Sequence, residues 1–120
     1  EPYWNQNMLF EVLANKTDKS LWIYEVDYDV IGFIIDMRFK NEISILNVAI
    51  HRSLQGMGHG LKMLKEYLKN FSNKYSIYLE VNKNNIKALN MYTKLNFKKV
   101  YIRKKYYSDG SDAINMQLVK

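Results

Sequence analysis

The feature that most constrains the fold is a glycine-rich loop between a strand-like run and an amphipathic stretch. Residues 53–60 have the sequence Ser-Leu-Gln-Gly-Met-Gly-His-Gly. The preceding residues 43–50 are apolar and rich in β-branched side chains, which is typical of a strand. After the loop, apolar side chains recur at spacings of three and four, at Leu61, Leu64, Leu68 and Phe71. The pattern therefore predicts a strand, a tight loop and a helix in succession.

Such a loop can bind phosphate. Glycine at alternate positions lets the backbone adopt positive φ and approach a ligand closely. The first amides of the helix have no internal partners and lie at the positive end of its dipole. However, similar loops join strands to helices in folds that bind no phosphate, so the loop alone leaves both interpretations open. A nucleotide P-loop would need Gly-Lys-Ser/Thr, whereas Gly60 precedes Leu61, and the glycine spacing is not that of a dinucleotide fingerprint.

Length and composition limit the class of protein. The chain has 120 residues and no cysteine, so disulfides, thiolate zinc sites and a cysteine nucleophile are excluded. The longest apolar run, residues 30–35, is far too short to span a bilayer. We therefore expect one domain over residues 1–120, without a metal, working in the cytoplasm and not at a membrane.

The chain is basic, with a formal net charge of +6. The densest group of cations lies near the C-terminus, at Lys98, Lys99, Arg103, Lys104 and Lys105. Such a patch could bind RNA, a ribosome surface or a phosphorylated cofactor. No RNA-binding motif accompanies it, and the aromatic residues follow strand periods rather than forming a stacking platform. We therefore expect no direct nucleic-acid role.

The rest of the pattern predicts a mixed sheet. Helices are expected over residues 5–13, 58–71 and 85–95, the first with Trp4, Met8 and Val12 on one side. Strands are expected over residues 21–28, 30–39, 42–50, 76–81, 97–107 and 111–119. The short connections make the first three strands antiparallel, and a right-handed crossover makes strand 76–81 parallel to strand 42–50. The fold class is α/β, with a central, mostly antiparallel sheet, helices on both faces and a cleft beside the glycine loop.

Two residues could carry chemistry in that cleft. Glu80 alternates with the apolar Leu79 and Val81 along its strand, so it is expected on the opposite face of the sheet. Tyr92 lies on the following helix. Glu80 could simply face solvent, and Tyr92 could simply pack in the core. If both point into the cleft, they are a candidate base and a candidate acid.

The order and spacing of several segments resemble the GNAT family of N-acetyltransferases. These segments are residues 46–50, 55–60 and 79–81, then Asn85 and residues 88–97. The tail, with paired Tyr106 and Tyr107, Asp109-Gly110 and Asp112-Ala113, resembles the family branch that acetylates protein N-termini, above all the bacterial ribosomal-protein alanine N-acetyltransferases. The resemblance implies transfer from acetyl-CoA to the N-terminal alanine of a small-subunit ribosomal protein. Acetylation of a small-molecule amine or a lysine side chain, and a basic binding module without activity, remain open.

The resemblance also implies a role for particular residues. Glu80 would be the general base and Tyr92 the general acid, and Tyr106 and Tyr107 would shape the acceptor groove. Binding of acetyl-CoA would fall to Val48, Ala49, Ile50, Leu54, Gln55, Gly56, Met57, Gly58, His59, Gly60 and Asn85. The chain departs from the family pattern at Ser53, where Gln or Arg is usual, and we expect it to lack the family's first strand and helix. Because that helix helps to form the acceptor site, we expect low activity from residues 1–120 alone.

Overall fold

The computed structural model describes residues 6–11, with backbone only, and residues 19–119. These residues form seven strands, two α-helices and one 3₁₀ turn. The strands are β1 (Gln6–Glu11), β2 (Lys19–Val26), β3 (Asp29–Phe39), β4 (Glu42–Ile50), β5 (Ser76–Asn82), β6 (Lys98–Arg103) and β7 (Ala113–Val119). The helices are α1 (His59–Leu68) and α2 (Ile86–Lys94), and the 3₁₀ turn is Arg52–Leu54.

The strands form a single mixed sheet in the order β1-β2-β3-β4-β5-β7-β6. Every neighbouring pair is antiparallel except β4 and β5, which are parallel. Helix α1 connects these two strands, as the crossover rule requires. The predicted mixed, mostly antiparallel sheet is confirmed, and β4 has the bounds that the sequence predicts.

Tight turns set the register of the antiparallel strands. Asp27 and Tyr28 both have positive φ, 53° and 70°, between the paired Val26 and Asp29. This is the two-residue hairpin geometry that matches strand twist. The C-terminal hairpin opens earlier than predicted, because β6 ends at Arg103 and not at residue 107. The Asp112 carboxylate accepts a hydrogen bond from the Lys105 amide there, which holds a wider loop in place of strand pairing.

The start of the chain differs from the prediction. The sequence predicts a helix over residues 5–13, and within that range Gln6–Glu11 instead forms the edge strand β1. Its backbone pairs antiparallel with β2, from Gln6 opposite Glu25 to Glu11 opposite Ser20. A six-residue segment can make few helical hydrogen bonds, whereas the open edge of β2 offers partners along its length. A strand thus precedes β2 in place of the predicted helix, and Trp4 and Val12 lie outside the described residues.

A buried carboxylate joins α1 to the sheet. Asp36 on β3 has no exposed surface. Its Oδ2 accepts hydrogen bonds from Trp22 Nε1 at 3.0 Å and from the Tyr67 hydroxyl at 2.6 Å. The rings of Trp22 and Tyr67 meet edge to face at 5.3 Å. Burial raises the pKa of Asp36, while both hydrogen bonds and the charge of Arg38 oppose that rise. Since Tyr67 lies on α1, the network fixes this helix against β2 and β3.

Neither α-helix of the described residues has the length and apolar character needed to cross a bilayer.

Tyr67→Phe is expected to destabilise the fold by about 1–3 kcal/mol, because a buried carboxylate loses one of its two donors. The Asp36 carboxyl keeps its proton to a higher pH in the native state than in the unfolded state. Ionisation of Asp36 therefore lowers the free energy of unfolding as the pH rises above the ordinary pKa of an aspartate. Loss of the Tyr67 donor enlarges this cost, so the effect in urea unfolding should be larger at pH 7 than at pH 4.

Tyr75→Phe is the matched control. It removes the hydroxyl of another tyrosine in an aromatic contact, since the Tyr75 ring meets that of Phe71 at 5.6 Å. That change should alter the free energy of unfolding by less than about 0.5 kcal/mol. Equal losses in the two variants would contradict the structural role of the carboxylate network.

Candidate active site

A cleft opens where β4 and β5 cease to pair. Their parallel register covers only three pairs, from Glu42 with Ser76 to Ser44 with Tyr78. On the other side of β4, the register with β3 shifts between Ile35, opposite Asn47, and Asp36, opposite Ile45. This leaves Leu46 as an extra residue, and such bulges bend and twist a strand. The bulge therefore lies just beyond the last β4–β5 pair and accompanies the divergence of the two strands.

Two neighbouring cavities occupy this cleft. The smaller, of about 200 Å³, lies between the diverging strands and is lined by Glu80 and Tyr107 among others. The larger, of about 740 Å³, lies between the glycine loop and α2. Both are lined by Val48, Asn85, Ala88 and Tyr92. Residues that line the cleft therefore extend from Glu80 to the glycine loop.

The glycine loop has the backbone that its sequence indicates. Gly56 and Gly58 have φ of 83° and 82°, a conformation that other residues adopt at a cost. Gly58 is the N-cap of α1, which begins at His59, so the free amides of the first turn lie beside the loop. The Gln55 side chain donates to the Ile50 carbonyl at 3.1 Å and ties the loop to the end of β4.

Most of the predicted coenzyme-binding residues line the larger cavity. They are Val48, Ala49, Ile50, Leu54, Gln55, Gly56, Gly58, Gly60 and Asn85. Met57 and His59 are not among the lining residues, and the Met57 side chain is exposed. Lys87 and Lys94, which the sequence analysis did not single out, also line this cavity and supply positive charge. The cavity can therefore accept an anionic ligand near the N-terminus of α1.

Asn85 has a structural contact as well as a place in the cleft. Its side-chain oxygen accepts a hydrogen bond from the Ala88 amide at 3.2 Å and caps α2. Because that oxygen is used by the helix, the amide nitrogen of Asn85 is the group that can reach a ligand in the cavity.

Glu80 lines the smaller cavity, as its neighbours Leu79 and Val81 also do, and it lies on the less buried face of β5. Its carboxylate is paired with Arg103, whose Nε donates to Oε2 at 2.6 Å. The sequence analysis placed Arg103 only in a basic patch. The pair could have been found from the hairpin register, because Arg103 lies opposite Ala113, which lies opposite Asn82 on β5. The small Ala113 leaves room for the arginine to cross.

Tyr92 both packs in the core and lines the cleft. It is 7% exposed, and its ring meets that of Phe97 at 5.7 Å. Burial raises the pKa of the Tyr92 phenol, so its hydroxyl keeps its proton near neutral pH. The two interpretations that the sequence left open are therefore compatible, because one edge of the ring is packed while the residue borders both cavities.

The paired tyrosines divide between the cleft and the surface. Tyr107 lines the smaller cavity, whereas Tyr106 is exposed. Their rings meet edge to face at 5.2 Å. Burial raises the pKa of Tyr107, and the negative charge of Glu80 adds to the rise. The loop that carries them is closed by hydrogen bonds between Tyr107 and Ser111 and from Gly110 to Tyr107.

Within residues 6–11 and 19–119, no group of three or more His, Cys, Asp or Glu side chains is placed to hold a metal ion.

Comparison with known proteins identifies relatives of the chain. Residues 2–120 match the family model described as an acetyltransferase (GNAT) domain. An N-alpha-acetyltransferase of Saccharolobus solfataricus is 35% identical over 112 residues, covering 81% of this chain and 67% of the relative. A [ribosomal protein bS18]-alanine N-acetyltransferase of Haemophilus ducreyi is 28% identical over 113 residues, covering 90% and 76%.

The fold agrees with a solved structure. The crystal structure of the ribosomal-protein-S18-alanine N-acetyltransferase from Escherichia coli superposes with a TM-score of 0.77 at 26% identity. The match covers 84% of this chain and 68% of that one. The resemblance inferred from the sequence motifs is thereby confirmed.

Gly58→Asp is expected to weaken acetyl-CoA binding at least about tenfold, because it adds a negative charge where the α1 amides would meet a phosphate. Isothermal titration measures the affinity. Gly110→Asp is the matched control, since Gly110 also has positive φ, 87°, and open space around an added Cβ. Both variants carry the same backbone strain and charge, so equal affinities would exclude the glycine loop as the binding site.

Proposed function

The chain belongs to the GNAT acetyltransferase family, and on this premise we propose that it transfers the acetyl group of acetyl-CoA to the N-terminal α-amine of a protein. One observation carries the proposal. A single cleft has Glu80 at one end, the glycine loop at the other and Tyr92 between them. A carboxylate, a protonated phenol and an anion-binding loop are the parts that acyl transfer from a phosphorylated thioester requires.

The coenzyme would lie along the larger cavity. The amides of residues 54–60 would bind its pyrophosphate, and the backbone of Val48, Ala49 and Ile50 would bind the pantetheine arm as an added strand. Asn85 would hold the coenzyme further along. The cations of Lys87 and Lys94 favour a polyanion in this cavity.

Two side chains would move the protons. Glu80 accepts a proton from the acceptor amine, directly or through a water molecule. The amine enters in its neutral form, having lost its ammonium proton to solvent. Its nitrogen forms a bond to the acetyl carbon as the carbon–sulfur bond breaks, and the proton that Glu80 takes is the one the nitrogen releases in this step. Tyr92, whose phenol is protonated at neutral pH, gives its proton to the departing thiolate. Positioned groups of this kind contribute about 100- to 10,000-fold each, and holding amine and thioester together supplies much of the rest.

The chemistry favours an α-amine over a lysine side chain. The reference pKa is about 7.7–8.0 for an α-amine and about 10.4 for lysine. The difference of about 2.5 pH units corresponds to roughly 3.4 kcal/mol for forming the neutral amine. A single carboxylate is therefore better matched to an N-terminus.

The tail supports a peptide acceptor. Tyr107 borders the cavity that holds Glu80, and Tyr106 extends the aromatic surface outward. The phenols could bind the backbone of an extended chain end and leave a small pocket for its first side chain. The relatives from Saccharolobus and Haemophilus are named for N-terminal and ribosomal-protein alanine acetylation. We propose that the acceptor is an N-terminal alanine, that of a ribosomal protein in particular, and that the reaction takes place in the cytoplasm.

A peptide with a free N-terminal alanine should be acetylated by the full-length protein at least about tenfold faster than the same peptide blocked at its N-terminus and carrying only lysine amines. Mass spectrometry of the products identifies the modified nitrogen.

The same assay includes spermidine as a third acceptor, because acetylation of a small amine is the second candidate function. Among the described residues the acceptor end carries Arg103, Lys104 and Lys105, which disfavour a polycation. Faster transfer to spermidine or to the blocked peptide would contradict the N-terminal assignment.

A further inference from the structure

Resting on the proposed function, we propose that Arg103 is a positioning residue for the transfer reaction, which holds the Glu80 carboxylate by one oxygen and leaves the other to take the proton.

The geometry specifies the contact. Arg103 Nε donates to Glu80 Oε2 at 2.6 Å, which is short for a charged hydrogen bond. Because Oε2 is engaged in this bond, Oε1 is the oxygen that accepts the proton of the acceptor amine. The carboxylate is three-quarters buried, so few rotamers are open to it once one oxygen is held.

The arginine is itself held in place. Its guanidinium lies over the Tyr101 ring at 5.6 Å and over the Tyr106 ring at 5.3 Å. Two ring contacts and one ion pair fix the side chain although it is half exposed. The charge of Glu80, first through the hydrogen bond, raises the pKa of Arg103, so the cation persists throughout the working range of the reaction.

The cation also affects the acceptor. A lone carboxylate would bind the ammonium form of the incoming amine and retain it in its unreactive state. With Arg103 beside Glu80, the pair has no net charge and does not bind the ammonium form in preference to the neutral amine. Removal of Arg103 should therefore lower kcat without raising the KM for the acceptor peptide.

If Arg103 had only a structural role, its substitution would change kcat little. An ion pair whose arginine is half exposed contributes little to stability, so Arg103→Gln should fold normally. Its effect on kcat can therefore be measured in the folded enzyme.

The test is a double-mutant cycle in the full-length protein with the free N-terminal alanine peptide as acceptor. Arg103→Gln should lower kcat about tenfold when Glu80 is present and less than about twofold in the Glu80→Gln background. Arg103→Lys should recover part of the loss, since it keeps the charge but not the planar fork. Lys69→Gln, which removes an exposed cation that is paired with Glu66 and lines neither cavity, should leave kcat within about twofold.

Equal losses in the two backgrounds, or a loss confined to the peptide KM, would overturn the positioning role, because Arg103 would then act independently of Glu80. Absence of any transfer to the peptide by the unsubstituted protein would instead overturn the proposed function, and the inference with it.

Discussion

The divergence of β4 from β5 is the constraint on which the site depends. The two strands pair over only three residues each, and an extra residue at Leu46 bends β4 where they part. Backbone groups that pair elsewhere in the sheet are left facing a cleft. The same β4 continues into the glycine loop, so the open strand edge and the free amides of α1 lie along one path. A ligand that is extended at one end and anionic at the other fits this path.

The hydrogen-bond network of the buried Asp36 fixes the position of α1 relative to the sheet beside this path. Trp22 and Tyr67 both bind the carboxylate, and Asp36 lies next to the bulge in the β3–β4 pairing. Helix α1, which begins at the glycine loop, is thus attached to β3, the neighbour of the strand β4 that borders the cleft. Burying a carboxylate is costly, and the two donors to Asp36 Oδ2 offset part of that cost.

The sequence predicted those parts of the structure that depend on local chemistry. Alternation placed Glu80 opposite the buried face of β5, the glycines marked the loop, and Asn85 marked the start of α2. It did not predict the features that depend on pairing between distant residues. The bulge at Leu46 has no compositional signal, and the contact of Arg103 with Glu80 follows from the register of three strands. Likewise, residues 6–11 form a strand because the edge of β2 is available for pairing. The hydrophobic pattern of these residues does not indicate that partner.

Amide hydrogen exchange with and without acetyl-CoA tests directly whether the open edge of β4 binds the coenzyme. Binding as an added strand should slow exchange at those amides of residues 45–50 that face the cleft, and at the first amides of α1. The amides of β2, which has strands on both sides, should exchange at the same rate in both states. Protection elsewhere, with residues 45–50 unchanged, would show that the coenzyme does not occupy the gap between β4 and β5.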